Sequence, residues 1–234
     1  MSAPFKHWGL EPRDARVIDL AAGTGRLTRE LVLTGASVTA VEPVTEMRAR
    51  IRATTAVRGT AEEIPAGDGS LDAVFVAEAF HWFDAPVALS EIARVLRPGG
   101  GLALMWNVGL PQDEEQPWRA EVVELVKDIY FHPQGRRVPA ASGNEPSDQV
   151  DWQSGPGWEH FEPLEQLAFE HVQPMTAEDY LAFVSSWSFV GMLGEESREK
   201  LLSEVAAVLE RNGVSDFDQK WRTDLYLTRR KGNG

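Results

Sequence analysis

Two glycines, Gly23 and Gly25, stand just after the apolar run 17–20 in the stretch Asp19-Leu20-Ala21-Ala22-Gly23-Thr24-Gly25-Arg26-Leu27-Thr28. Without side chains they permit a tight turn and a close backbone approach to a ligand, and a helix starting behind them offers free N–H groups to an anionic group. Glu42 ends a second apolar run, where its carboxylate can accept hydrogen bonds from two ribose hydroxyls. Glycine turn and acid together describe a crevice for an adenosyl cofactor. A dinucleotide pyrophosphate normally calls for a third glycine at position 28, where this chain has Thr28. On these residues alone, NAD and S-adenosylmethionine both satisfy the crevice.

A second group follows the third apolar run. His81 and Trp82 combine a titratable imidazole with an aromatic wall, and Glu78 places an acid beside them. Trp106 and Asn107 close the next run, the indole as a wall and the amide as a polar anchor for an acceptor. Bracing of the loop by His81, packing of Trp82 and Phe83 on Phe80, and turn capping by Asn107 are the structural alternatives. His7, His81, His132, His160 and His171 are too scattered for a compact metal motif, so no metal is expected. Ser185-Ser186 lacks the nucleophile-elbow pattern of a serine hydrolase, and Arg229-Arg230-Lys231 reads as ordinary surface.

The elements that must position these residues follow from periodicity. Residues 17–20, 37–41, 71–77 and 102–106 read as strands, and 26–33, 47–52 and 86–96 as helices, with a turn at Arg97-Pro98-Gly99-Gly100-Gly101. Short apolar strands alternating with helices predict a parallel sheet covered on both faces. Beyond Asn107, residues 118–129 read as an amphipathic helix, 133–157 as a polar loop or lid, and 164–170 as a strand. Residues 177–189 and 195–211 read as helices, and 223–228 alternates like an edge strand. Tyr130, Trp152, Trp158, Tyr180, Trp187 and Phe189 are assigned mainly to helix packing. The expectation is a single domain over 1–234: a cofactor-binding core at 17–110, a helix and variable acceptor-side cap at 111–160, and C-terminal completion of the sheet at 161–234.

Composition bounds the partners. The chain has 234 residues, 43% of them hydrophobic, and a formal net charge of −13, which opposes polyanions and argues against nucleic acid. It contains no cysteine, which excludes disulfides, thiolate metal sites and a cysteine nucleophile. No stretch reads as a signal peptide or membrane span, so the expectation is a cytoplasmic protein without stable membrane insertion. Monomer and homodimer are both open.

Taken in order, VIDLAAGTG at 17–25, VEP at 41–43, GTAEEIP at 59–65 and LRPGG at 96–100 resemble the successive motifs of class I S-adenosylmethionine-dependent methyltransferases. The likeness is to the small-molecule, methyltransferase type 11 or ubiquinone-methyltransferase-like group. AEAFHWFD at 77–84 is similar to a box of the trans-aconitate-methyltransferase-like subgroup, which methylates carboxylates or other small acceptors. The resemblance implies an α/β, Rossmann-like, seven-stranded, mostly parallel sheet with helices on both faces and an antiparallel final strand. It implies S-adenosyl-L-methionine as cofactor, with Asp19, Ala21, Gly23, Gly25, Glu42, Pro43, Met47, Ala61, Glu62 and Ala77 around it. Gly23 and Gly25 would face the methionine part, Glu42 the ribose, Met47, Ala61 and Glu62 the adenine, and Asp19 the loop or the methionine ammonium. Glu78, His81, Trp82, Trp106 and Asn107 would face the acceptor, with His81 as candidate base. The function implied is methyl transfer to a small-molecule oxygen, carboxylate or phenolic, by positioned direct displacement. An NAD-dependent oxidoreductase and a noncatalytic nucleoside-binding module are the rival readings. Relatives often carry helices ahead of the glycine motif, whereas 18 residues precede Asp19 here; Phe5, Trp8 and Leu10 could form a reduced cover.

Overall fold

A computed structural model describes residues 2–110, 112, 116–130, 153, 155–187, 190 and 193–232. Among these, the helices are α1 (Ser2–Trp8), α2 (Arg26–Leu33), α3 (Thr45–Arg48), α4 (Ala85–Val95), α5 (Trp118–Tyr130), α6 (Ala177–Ser185) and α7 (Glu195–Arg211). The strands are β1 (Arg16–Leu20), β2 (Ser37–Val41), β3 (Thr55–Val57), β4 (Leu71–Ala77), β5 (Leu96–Gly109), β6 (Glu165–Thr176) and β7 (Asp216–Arg229). They form one seven-stranded sheet in the order β3-β2-β1-β4-β5-β7-β6. The first five are mutually parallel. β7 runs against them: Arg230 bonds Gly99 and Gly100, whereas Lys220 bonds Leu110. The mostly parallel, Rossmann-like sheet with an antiparallel last strand is therefore the observed architecture.

Helices α1, α2 and α4 sit where their buried residues find a face of the sheet. Ile18, Leu20, Val74, Val76, Leu102 and Leu104 point to one side of the sheet, where Ala88, Leu89 and Ile92 of α4 cover them. Their strand neighbours Val17, Ala73, Phe75, Ala103 and Met105 point to the other, under Phe5 and Trp8 of α1 and Leu31 of α2. Phe5 and Trp8, expected as a candidate cover, are core: both rings pack on Phe75 at 5.5 and 5.6 Å. A methyl group on Gly101 would overlap the Trp8 indole, so that glycine is required by packing.

The chain divides into two compact units. One comprises Met1–Trp106, Gln149–Ala168 and Asp224–Gly234, and the other Asn107–Asp148 and Phe169–Thr223. The second unit has its own core, in which Trp118, Val122 and Val126 of α5 meet Tyr180 and Val184 of α6 and Leu201, Val205, Val208 and Leu209 of α7. The 201, 205, 208, 209 spacing is one face of a helix. Arg119 lies 4.8 Å over the Trp118 ring and 5.2 Å over that of Phe217. α6 starts on a capping box in which Thr176 and Asp179 bond each other's backbone N–H. Tyr180 and Trp187 are buried in this core, and Trp158 packs on Phe80 and Phe161 in the first unit.

Several expectations change. The turn at residues 97–101 is a broad irregularity inside β5: Leu71 pairs with Leu96, but Ala73, two residues on, pairs with Gly101. The surplus residues pair instead with Arg230, on which the backbone N–H of Gly99 and the carbonyl of Gly100 both act. The expected helix 47–52 is the single turn α3. β7 is an interior strand, not an edge: it lies between β5 and β6, and five consecutive residues from Asp224 to Thr228 are buried. The edge strand is β6, which extends past the expected end at 170 to Thr176. The basic run is tied down, with Arg229 Nη2 donating to the His7 carbonyl at 2.9 Å and Lys231 Nζ to that of Glu159 at 2.9 Å. Most of the loop expected at 133–157 lies outside the described residues, as do His132, Trp152 and Phe189. Among the described residues, no helix is long and apolar enough to cross a membrane.

Candidate cofactor site

The strand order reverses between β1 and β4: the chain proceeds from β1 to β2 on one side and returns to β4 on the other. A crevice opens at the carboxyl ends of such a pair, and ligands bind there in open α/β sheets. The residues that follow these two strands carry the local strain. Ala21 after β1 and Glu78 after β4 are the two non-glycine residues with positive φ among those described, at 56° and 55°. A left-handed conformation costs an L-residue roughly 1–2 kcal/mol and persists where the surrounding structure imposes it, commonly at functional sites. The Glu78 N–H donates to the Met105 carbonyl at 2.9 Å, which holds the end of β4 to β5.

Glu42 draws the glycine turn and the second strand together. Its side chain is buried, one oxygen accepting from the Gly23 N–H at 2.8 Å and the other from the Val44 N–H at 2.8 Å. A carboxylate has about four lone-pair directions, so two bonds leave acceptor capacity for a diol. Beneath it, α3 is anchored by Arg48, whose Nη1 donates to the carbonyls of Glu42 at 2.7 Å and Pro43 at 3.1 Å. Gly23, at φ 57°, has open space where a Cβ would stand, whereas a Cβ on Gly25 would lie 3.1 Å from Ile51. Gly23 thus has open space beside it, and Gly25 packs the turn against Ile51.

Asp19, buried at the end of β1, accepts a hydrogen bond from the Thr28 hydroxyl at 2.5 Å. Burial pushes its pKa up to about 7, opposed by the Thr28 bonds and reinforced by the charge of Glu42. Thr28, fully buried, occupies the position of the third glycine of a dinucleotide fingerprint and ties α2 to β1 through this bond.

The loop between β3 and β4 is held against α4. Arg94 reaches the carbonyls of Ile64 and Ala66, at 3.1 and 2.9 Å, and pairs with Glu91 and Asp68. Ala61 is buried in the core beside Ile64. Glu62 accepts from the Asp84 N–H at 3.1 Å, so its carboxylate also braces the start of α4. Met47 is 45% exposed and Val44 43%, which leaves an apolar rim beyond Glu42.

On the β4 side, Ala77 ends the strand and Glu78 and His81 are exposed. His81 lies 5.0 Å from the Trp82 ring, itself 57% exposed. Partial desolvation holds the imidazole below the usual histidine pKa, which keeps it neutral near pH 7. Trp106 packs edge-on against Tyr226 at 5.7 Å. Asn107, the first residue of the second unit, accepts from the Thr223 hydroxyl at 2.7 Å. Sequence reasoning missed the β7 partners Thr223 and Tyr226 because β7 reads as a peripheral strand. Among the described residues, no three or more potential ligands cluster around a metal position. A cavity of about 380 Å3 lined by Arg94, His160, Arg230 and Lys231 lies at the amino end of β5, away from this edge.

The Methyltransferase domain family matches residues 18–104, which run from within β1 to within β5. An uncharacterised methyltransferase of Mycobacterium tuberculosis is 50% identical over 123 residues, 51% of this chain and 49% of that protein, so the chain spans about half its length. An uncharacterised methyltransferase-like protein of Schizosaccharomyces pombe is 31% identical over 211 residues, covering 87% of this chain and 76% of that protein. Among solved structures, one assigned as a type II methyltransferase from Anaeromyxobacter dehalogenans superposes with a TM-score of 0.64 at 20% identity, over 100% of this chain and 97% of that one. The glycine turn, the buried strand-end acid and these likenesses together place the chain in the class I S-adenosylmethionine-dependent methyltransferase family.

Proposed function

We propose that the chain transfers a methyl group from S-adenosylmethionine to an oxygen of a small-molecule acceptor, a carboxylate or a phenol. The observation that carries this reading is the buried Glu42 carboxylate, which bonds the Gly23 N–H and retains acceptor capacity at the strand-reversal crevice. In the proposal Glu42 holds the ribose hydroxyls, and the backbone from Ala21 to Gly25 receives the methionine part. Asp19 positions that turn through Thr28 and, when ionised, balances the ammonium. Pro43, Met47, Ala61 and Glu62 border the adenine, and Ala77 closes the crevice floor. A pyrophosphate fits poorly, because Thr28 fills the third glycine position with a buried, hydrogen-bonded side chain.

The cofactor, when bound, supplies an electrophilic methyl on sulfonium. The remaining work is placement of the acceptor oxygen in line with it, which proximity and orientation can accelerate substantially. A carboxylate acceptor is ionised at neutral pH and needs no base. A phenol gives up its proton, and the neutral His81 imidazole is the group proposed to take it. Glu78, Trp82, Trp106 and Asn107 are proposed to shape the acceptor side, with residues 111–160 as its cap in a single functional domain.

The test is transfer of labelled methyl from S-adenosylmethionine across a panel of small carboxylates and phenols. Formation of S-adenosylhomocysteine and a methyl ester or ether supports the reading. Transfer to none of them, or hydride exchange with a nicotinamide instead, contradicts it. With a phenolic acceptor, His81→Ala is expected to lower kcat about tenfold to a hundredfold while cofactor affinity is unchanged. With a carboxylate acceptor the same variant is expected to leave kcat nearly intact.

A further inference from the structure

The far edge of the sheet is built unlike a protected one. β6 closes the strand order, so among the described residues no strand lies beyond it. All ten residues from Glu165 to Pro174 are exposed. Three are apolar and large: Leu167 is 36% exposed, Phe169 46% and Val172 54%. Edge strands ordinarily carry lysine, a mid-strand proline, a bulge or a covering helix that blocks pairing with another chain. β6 has no lysine or arginine, its charged side chains are Glu165 and Glu170, and its one proline, Pro174, comes near its end.

We infer that β6 pairs antiparallel with β6 of a second copy of this chain, joining the two sheets around a twofold axis at Ala168. The argument is one of register. Twofold strand pairing must keep each side chain on its own face, which restricts the axis to residue centres. With the axis at Ala168, Leu167 stands opposite Phe169 of the second copy and Glu165 opposite its His171. Gln166 then faces Glu170, and Val172 falls beyond the paired segment, opposite Leu164, which packs on the core of its own chain. Leu167 and Phe169 each gain an apolar partner, and the acid gains an imidazole. Neighbouring registers lose this match. An axis at Phe169 sets Leu167 against His171 and Val172 against Gln166. An axis at Glu170 opposes two carboxylates, and one at Leu167 sets Glu165 against Phe169. Glu165 also lies 3.7 Å from His7 Nδ1 of its own chain, yet its side chain stays 68% exposed and open to a second partner.

The absence of cysteine makes the test clean. In light scattering of the full chain at micromolar concentrations, the expected mass is twice 25.9 kDa. Phe169→Asp is expected to return it to a single chain, with circular dichroism and cofactor affinity unchanged, because neither the cofactor crevice nor a buried position is altered. The register is read by oxidising single-cysteine variants. Ala168→Cys should cross-link to its own counterpart, since opposite residues of an antiparallel pair come within about 5 Å. Glu170→Cys, which faces Gln166, should cross-link at least tenfold less. A chain that remains single at these concentrations, a dimer that survives Phe169→Asp, or cross-linking of Glu170→Cys equal to that of Ala168→Cys would each overturn the proposal. The first outcome would leave the strand edge to another segment of the chain or to a different protein.

Discussion

Gly23 follows the interior strand β1 and Gly101 lies within the interior strand β5, and they are small for opposite reasons. At Gly101, the amino-terminal part of β5 leaves no room, because the Trp8 indole occupies the place of a side chain. At Gly23, beyond the carboxyl end of β1, nothing lies within 4 Å of where a Cβ would stand. One region is filled by the chain itself, and the other is left open by it. The contrast extends to backbone strain, which among the described non-glycine residues falls on Ala21 and Glu78, each just past the carboxyl end of a strand. Gly101 thus serves packing, whereas Gly23 sits in strained, open backbone beside the proposed ligand site.

Substitutions sharpen that contrast. The largest expected effect is that of Gly101→Ala, where displacing the indole costs about 3 kcal/mol and lowers Tm by roughly 10 °C, with cofactor affinity of the folded fraction unchanged. Gly23→Ala should do the reverse: a loss of about 1 kcal/mol in stability from its left-handed φ, and a clear loss of affinity as the methyl enters the crevice. If thermal melts and titrations ranked the two variants alike, the two ends would not differ as described.

Glu42→Ala comes next. It removes the acceptor of the Gly23 and Val44 N–H groups together with the proposed ribose contact, for an expected weakening of cofactor binding of about 100-fold. The smallest effect concerns pH. Burial raises Asp19 from 3.8 to about 7, so the folded chain holds a proton that the unfolded chain has released. Stability should therefore fall as pH rises from about 4 to about 7 and level off above. A cationic ligand facing Asp19 offsets this cost, so S-adenosylmethionine should raise Tm more at pH 8 than at pH 6. Asp19→Asn should flatten both trends, and equal ligand-induced shifts at the two pH values would remove the ammonium role.

Much of the fold was legible because burial is periodic in the first half of the chain. β2 and β4 follow from runs whose apolar residues are mostly the buried ones, and the interior strands β1 and β4 read as nearly continuous apolar stretches. Legibility failed where partners from afar decide the outcome. Residues 97–101 look like a free turn, but Arg230 recruits them into β5. β6 carries no alternation because both of its faces are exposed, so its true length left no signal. Residues 223–228 of β7 alternate in sequence, yet 224–228 are all buried, which marks the strand as interior. At the candidate site, the glycines and Glu42 were readable by type and spacing. The strain at Ala21 and Glu78 was not, since alanine and glutamate carry no mark of a left-handed backbone. The double use of Glu62 and the Asp19–Thr28 pair likewise emerge from geometry alone.

The central claim is that the crevice beside Glu42 is built for an adenosyl sulfonium cofactor. Calorimetric titration of the chain and of Glu42→Ala with S-adenosylmethionine, S-adenosylhomocysteine and NAD tests it most directly. The account predicts micromolar binding of the first two, little of the third, and about a 100-fold loss in the variant. Selective binding of NAD, or an unaltered isotherm for Glu42→Ala, would contradict it.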